Sequence, residues 1–591
     1  MHRSRIPKYS KVKASVTGWL FATTLVAEKL RVSILGALIS ITVAEVCAYK
    51  LLKQNVKAGE LPPYITDLLI MLLGLLEAGV SPFVGCFGYK WRRAVMMTSC
   101  LVAGAVSFLW FALPDVNVPE SVGYCHGNNT LTAFEAGPRT PIRLSIILFT
   151  FIVFGATRLL LWCHGIAYID EHAPSRLAMH YGVLSALRML GLVMSYNVLT
   201  ELLETNMTAQ TLIIGIGLLV NALQVYLNVP KVAPEIEDPA KGPTDDLSET
   251  SPFVPKVPGS DKRGLRASVV RVFFNTLAMS QMVAMGLMAA ALWGFAYHQS
   301  DYLKTKFYLH VERNSPMNNA EILRNHAVVL AVAYMGVKFT PPIMEHVVKT
   351  QVLAHVAKMC VFTLVLHALI AFVVSCERGE VAGLGERYVQ PQCSRACGCA
   401  PQWQEFSPVC VVDQMTTFLS PCHAGCTGTE EVGGLRVYSN CTCASLSRRA
   451  VSGSCNSNAC NGALQLHHVL FALLLSVTAL AFQGQGVVIL RAADVRDKPT
   501  ALGLTGAIVA IFTFVCGHLI FLGVTVGSCI WWEGGRCHLQ SSKYPYLISG
   551  ISAAMVLFSF IITLTTVVYM KVAERRTKAE PTINLSDEAE C

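Results

Sequence analysis

The chain is 591 residues long, 53% hydrophobic and 14% charged, with a net charge of +9 and a mean hydropathy of +0.48. Soluble domains carry about a quarter of their residues as charges, so this composition excludes a soluble multidomain protein and places the chain in a lipid bilayer. The Lys and Arg lie in short clusters beside apolar runs rather than along one stripe, which reads as a topology signal and excludes a nucleic-acid partner.

A bilayer core of about 30 Å is crossed by about 20 apolar residues in a helix, and the sequence predicts twelve such spans. Those of the first half lie at 32–50, 66–87, 94–113, 143–165, 179–202 and 209–228. Those of the second half lie at 272–296, 326–346, 354–375, 464–490, 502–526 and 546–570. No cleavable signal peptide is expected, because Arg3, Arg5, Lys8, Lys11 and Lys13 run into a first span that can itself act as the anchor. These basic residues, with Lys90, Arg92 and Arg93 after the second span, Arg491, Arg496 and Lys498 after the tenth, and Lys571, Arg575, Arg576 and Lys578 after the twelfth, put both termini in the cytosol. The alternate loops then hold glycosylation sequons at Asn128, Asn206 and Asn440, all on the outer side.

Between the halves, residues 231–271 are rich in proline and charge and poor in packable side chains, so a flexible cytosolic linker is expected there. The predicted domain order is an N-terminal six-span half at 1–230, the linker at 231–271 and spans seven to nine at 272–375. An extracellular cysteine-rich domain at 376–463, spans ten to twelve at 464–578 and a cytosolic tail at 579–591 follow.

That cysteine-rich domain holds eleven of the 21 cysteines: Cys376, Cys393, Cys397, Cys399, Cys410, Cys422, Cys426, Cys441, Cys443, Cys455 and Cys460. Disulfides persist on the oxidising side of a membrane, and Cys125, Cys529 and Cys537 share that side. An odd eleven requires a partner from Cys125 or the last loop, or leaves one free thiol.

Its centre, Ser407-Pro408-Val409-Cys410, then Asp413, Phe418, and Cys422-His423-Ala424-Gly425-Cys426, resembles a Kazal-type inhibitor domain. With Asn440-Cys441-Thr442-Cys443 behind it, the arrangement resembles the insertion found in the organic anion transporting polypeptides. Shorter stretches resemble that family in the same order. They are Glu77-Ala78-Gly79, Phe87 to Arg93, Tyr168-Ile169-Asp170-Glu171, Tyr181-Gly182, Val381-Ala382-Gly383 and Asp497 to Leu504. The chain departs from the family where a Trp-rich signature is absent before the sixth span, where a basic position in the eleventh span falls on Ala510, and where a His at the end of the third falls near Asp115.

The resemblance implies an all-α, twelve-span major facilitator fold at the plasma membrane, carrying amphipathic organic anions such as steroid conjugates, prostanoids or bile-salt-like molecules without sodium, by alternating access. Two other readings stand beside it: a non-transporting surface receptor or regulator on a degenerate transporter scaffold, and a membrane-tethered protease inhibitor using the Kazal-like loop. No Walker motif, metal cluster or nucleophile constellation is present, so neither cofactor, metal nor enzymatic chemistry is expected.

Burying an ionisable side chain in a span costs about 2.5 kcal/mol or more, so such residues mark candidate sites. Arg158 and Arg188, with Lys338 from the second half, can form a cationic cavity at mid-membrane, with His164 and His518 as further candidate ligands. In the competing arrangement Glu45 and Glu77 pair with the arginines. Met279, Met282, Met285, Met288 and Trp293 supply an adaptable apolar wall.

Overall fold

The computed structural model describes residues 33–45, 48, 64–87, 93–111, 125, 140–172, 180–182, 207–228, 265–308, 349–375, 380–385, 387–399, 406–432, 435–455, 457–533 and 536–579. Eight described helices are long and apolar enough to cross a membrane, and Ser33–Glu45 and Ala94–Trp110 are shorter apolar helices. They fall on ten of the predicted spans; the fifth, but for a few residues, and the eighth lie outside the described residues. Two separate apolar cores hold them. One gathers Ile34, Ile41, Leu101, Phe108, Phe154 and Leu218 of the first half. The other gathers Met282, Phe295, Val356, Leu474, Ile548 and Val556 of the second. The chain is thus an all-α membrane protein whose described helices pack around two apolar cores, with a small disulfide-rich insertion.

Because lipid offers helices no hydrophobic incentive to associate, small and hydroxylated side chains do the joining. In the first half Asn221 Nδ2 donates to Ser40 Oγ and Asn228 Nδ2 to Ser33 Oγ, both at 2.7 Å, tying the sixth span to the first. In the second half Ser559 Oγ donates to Ala284 O at 2.7 Å, tying the twelfth span to the seventh.

The halves meet along the second span (Ile65–Phe87) and the eleventh, which runs from Lys498 through a π-helical turn at Ile511–Gly517 to Gly527. A Cβ added at Gly85 would stand 2.5 Å from Pro499 O, and one at Gly503 would stand 2.5 Å from Ser81 O. Glycine lets the two backbones approach, and Ser81 Oγ uses that approach to donate to Gly503 O at 2.6 Å. Leu490 and Leu502 of the second half pack into the first half's core.

π-helical turns also interrupt the fourth span (Leu161–Gly165) and end the ninth (Leu369–Val373). The latter frees carbonyls that an α-helix would consume. Buried Lys306, on the helix Gln299–Phe307, donates to Ile370 O at 2.8 Å and Ala371 O at 3.0 Å, and Tyr302 OH donates to Ile370 O at 3.1 Å.

The insertion is a five-stranded antiparallel sheet of β1 (Val409–Val411), β2 (Thr416–Phe418), β3 (Gly428–Val432), β4 (Leu435–Ser439) and β5 (Arg449–Ser452), in the order β2-β1-β5-β4-β3. Cys393–Cys443, Cys399–Cys422, Cys410–Cys455 and Cys426–Cys441 staple it. The open question of the odd cysteine resolves onto Cys125, which pairs with Cys397 and so joins the module to the first half. Cys529 and Cys537 pair across a hairpin of β6 (Cys529–Glu533) and β7 (Arg536–Gln540). Cys460 is also bonded, while Cys376 lies outside the described residues. The module sits on that hairpin through Val381, Phe406 and Leu419 against Trp531 and Leu539, with Tyr308 completing the contact.

Two expected boundaries move. Residues of the linker from Leu265 onward form a helix, Leu265–Phe273, because Val272 is buried and Ser268 and Arg271 are hydrogen-bonded to Asp497. The helix that carries the tenth span begins at Ser457, its candidate span runs Cys460–Ala492, and its first turn is fixed by buried, disulfide-bonded Cys460.

Candidate functional site

Arg158 lies mid-way along the fourth span, where neither lipid nor bulk water can solvate it. Its Nη1 donates to both carboxylate oxygens of Glu45 at 2.9 Å, and its Nη2 donates to Glu77. Three helices of one half are thereby joined by a single guanidinium. One cation held by two carboxylates is the arrangement in which Glu45 and Glu77 pair with the arginine, and it leaves Arg158 engaged within its own bundle. The guanidinium's Nε, also buried, has no hydrogen-bond partner among the described residues. Arg188 and Lys338 lie outside the described residues.

His164 sits on the π-turn of the fourth span, fully buried, with Nε2 2.8 Å from Val84 O of the second span. That bond fixes a widened turn against a neighbouring backbone, a structural use of the ring. The expected methionine wall is likewise core. Met282, Met285 and Met288 are buried in the second bundle, with Met279 packed against them. Trp293 stacks on Tyr297 at 5.9 Å and meets Phe514 edge-on at 5.1 Å.

Two polar clusters span the seam between the halves, one at each end. At the end remote from the disulfide module, Asp170 of the fourth span, its side chain fully buried, pairs with Lys498 and lies 3.4 Å from Arg491 Nη1. The Arg491 contact is one of charge rather than an aligned hydrogen bond. Behind Lys498, Asp497 accepts from Arg271 Nε at 2.7 Å and Nη2 at 2.8 Å and from Ser268 Oγ at 2.6 Å. The helix Leu265–Phe273 thus holds the start of the eleventh span in place. Nearby, Tyr181 of the first half lies directly over Gly486 of the tenth span.

At the module-bearing end, Asp67 of the second span accepts from Tyr297 OH at 2.8 Å, and His518 Nε2 of the eleventh span stands 3.2 Å from the same oxygen. The His518 ring meets Tyr297 edge-on at 5.2 Å. His518 is buried, while the Asp67 side chain keeps 27% of its surface exposed.

Of the residues singled out in the sequence, the structure brings His518 to the seam and holds Arg158 and His164 inside the first half. Asp67, Asp170, Lys498 and Tyr297 escaped site selection because charges within a turn of a span end look like solvated caps. The signal available for Asp170 and Lys498 was the motif each belongs to.

The family model described as the Organic Anion Transporter Polypeptide (OATP) family matches residues 34–547. Solute carrier organic anion transporter family member 74D of Drosophila melanogaster is 24% identical over 226 residues, 35% of this chain and 27% of that protein. The first such relatives are matched over about a quarter of their own length. Longer matches join the chain to member 4C1 of Homo sapiens, 21% identical over 83% of this chain and 72% of that one. Member 1A4 of Rattus norvegicus is 23% identical over 84% and 85%. The crystal structure of the human organic anion transporter MFSD10 (TETRAN) is similar at a TM-score of 0.47 and 14% identity, covering 92% of this chain and 99% of that one.

Proposed function

The chain belongs to the Organic Anion Transporter Polypeptide family, and we propose that it carries amphipathic organic anions across the plasma membrane, without sodium, by alternating access between its two halves. The observation that carries this reading is the seam. Two separately packed bundles touch through reversible polar contacts at either end, Asp170 with Lys498 and Arg491 at one and Asp67 with His518 and Tyr297 at the other. Contacts of that kind can be made and broken in turn without unpacking either core.

In this reading the module-bearing end is outside, both termini are cytosolic, and Asn128, Asn206 and Asn440 carry glycans. Steroid conjugates, prostanoids and bile-salt-like molecules are the proposed cargo. Arg188 and Lys338 are the proposed anion ligands, because Arg158 is already engaged. The division into halves at 1–230 and 272–578, around an extracellular module near 376–463, follows from the same topology.

The test is uptake of a fluorescent steroid conjugate into cells expressing the chain, with and without sodium. Saturable uptake that is unchanged when sodium is replaced supports transport. Uptake no greater than in control cells, at normal surface abundance, overturns it and favours the receptor reading, which the uncharged Ala510 in the eleventh span also suits.

A further inference from the structure

We propose that the helix Leu265–Phe273 docks on anionic phospholipid headgroups at the bilayer surface, and that lipid held there steadies the Asp170–Lys498 contact at the end of the seam remote from the disulfide module. The proposal rests on the topology of the transport reading, which puts that end on the cytosolic leaflet, but lipid binding by the helix is measurable whether or not the chain transports.

The helix has two faces. On the inner one Ser268 Oγ donates to Asp497 at 2.6 Å and stands 2.9 Å from Thr500 Oγ1, Arg271 grips the same carboxylate, and Val272 is buried. Arg266, Val270 and Phe273, spaced four and three apart, share the other face. Arg266 is exposed and has no carboxylate partner among the described residues. Phe273 and the next residue, Phe274, keep 55% and 57% of their surface exposed, and their rings meet edge-on at 5.8 Å. Position decides what covers these groups. Phe274 N donates to Val270 O at 3.0 Å, and Asn275 then caps the seventh span and donates to Ala492 O at 2.8 Å, so helix and span meet at a fixed joint. The span begins at Thr276, within a turn of both rings, which places them at the boundary between acyl chains and headgroups. Arg266 lies about 10 Å further along the helix axis on the same face as Phe273. Exposed aromatic rings at the interface with an unpaired arginine beside them are the pattern of a surface helix drawn to negatively charged lipid.

Exposed Arg496 and exposed Asp494 oppose each other at the same end, so the attraction rests on Arg266. The helix also straddles the seam, touching the second span of the first half and the eleventh of the second. Lipid that holds its outer face therefore keeps Asp497 in place, and with it the neighbouring Lys498 against Asp170. Release of the helix frees the start of the eleventh span to move away from the second.

The experiment is hydrogen exchange of the full-length protein in nanodiscs of phosphatidylcholine, alone or with about one part in four phosphatidylserine. The expected result is several-fold slower exchange at residues 265–273 and 500–506 when phosphatidylserine is present, an effect that high salt weakens. R266Q should lose most of that difference, and F273S with F274S should exchange faster in either disc; all three changes lie on the exposed side and spare the Asp497 contacts. Equal exchange of wild type in the two discs, a difference that survives in R266Q, or equal slowing at the hairpin Cys529–Gln540 would overturn the lipid site. Slowing at 265–273 with none at 500–506 would overturn its hold on the seam. Failure of every version to take up anion, with the lipid-dependent protection intact, refutes the transport reading and leaves the lipid site standing.

Discussion

Buried charge occurs in two regions of this molecule, and it is handled differently in each. Inside the halves, the buried charges Arg158 and Lys306 take their partners from their own bundle: Arg158 from Glu45 and Glu77, Lys306 from the carbonyls of Ile370 and Ala371. At the seam, Asp170 and Asp67 take their partners from the opposite half. Charges of the first kind specify a fold, because a relative movement of the halves leaves them together. Charges of the second kind specify a state.

The comparison breaks first at Arg158. Arg158→Met leaves two buried carboxylates facing each other, and losing one partner of a buried pair costs about 3–5 kcal/mol. Surface abundance should fall to near background, and adding Glu45→Gln with Glu77→Gln should restore part of it. Normal abundance of Arg158→Met alone would show that the pairs inside the halves are dispensable.

Lys498→Met tests the seam, with an expected loss of about 3 kcal/mol because Arg491 still faces Asp170. Protein should reach the surface but with uptake strongly reduced, and the exchanged pair Asp170→Lys with Lys498→Asp should recover more uptake than either single change.

A third contact sharpens the contrast, because it lies between the module and the last loop rather than between helices. His423 accepts or donates at Ser420 Oγ over 2.7 Å and packs against Tyr388 and Trp531. Burial, and then the nearby His538, push its imidazole down to about 4. Between an ordinary value of about 6.5 and that depressed one the unfolded form binds more protons. The stability supplied by neutral His423 is therefore complete above about pH 6.5 and lost as pH falls toward 4. Protease resistance of the module should weaken on acidification through that window, and His423→Phe should remove the dependence.

The smallest effect is expected at Arg271. Its two hydrogen bonds to Asp497 need a planar fork, so Arg271→Lys should cost about 1 kcal/mol. A small drop in thermal stability with intact surface expression is the predicted outcome.

How much of this was legible in advance depends on distance along the chain. The seventh span, predicted at 272–296, is Thr276–Tyr297, because hydropathy over twenty residues is a local property. Arg158 could be matched to Glu45 and Glu77 on the ground that an arginine in a span must find a carboxylate, although the cationic cavity was equally open. Asp170 and Lys498 are 328 residues apart, and no local pattern couples them. Lys306 was invisible for another reason: its partners are backbone carbonyls released by a π-turn, which side-chain patterns do not record. Disulfide pairing was likewise open until Cys125 was found on Cys397.

That last bond encloses a ring of chain. Cys125 and Cys397 are 272 residues apart, so the closed circuit runs through the fourth to ninth spans and includes the whole connection between the halves. A protease that nicks residues 231–264 would sever the backbone without releasing either piece. On a denaturing gel the nicked protein should migrate as a single species until a reductant is added, then resolve into two. The halves are therefore joined twice, once by peptide and once by sulfur.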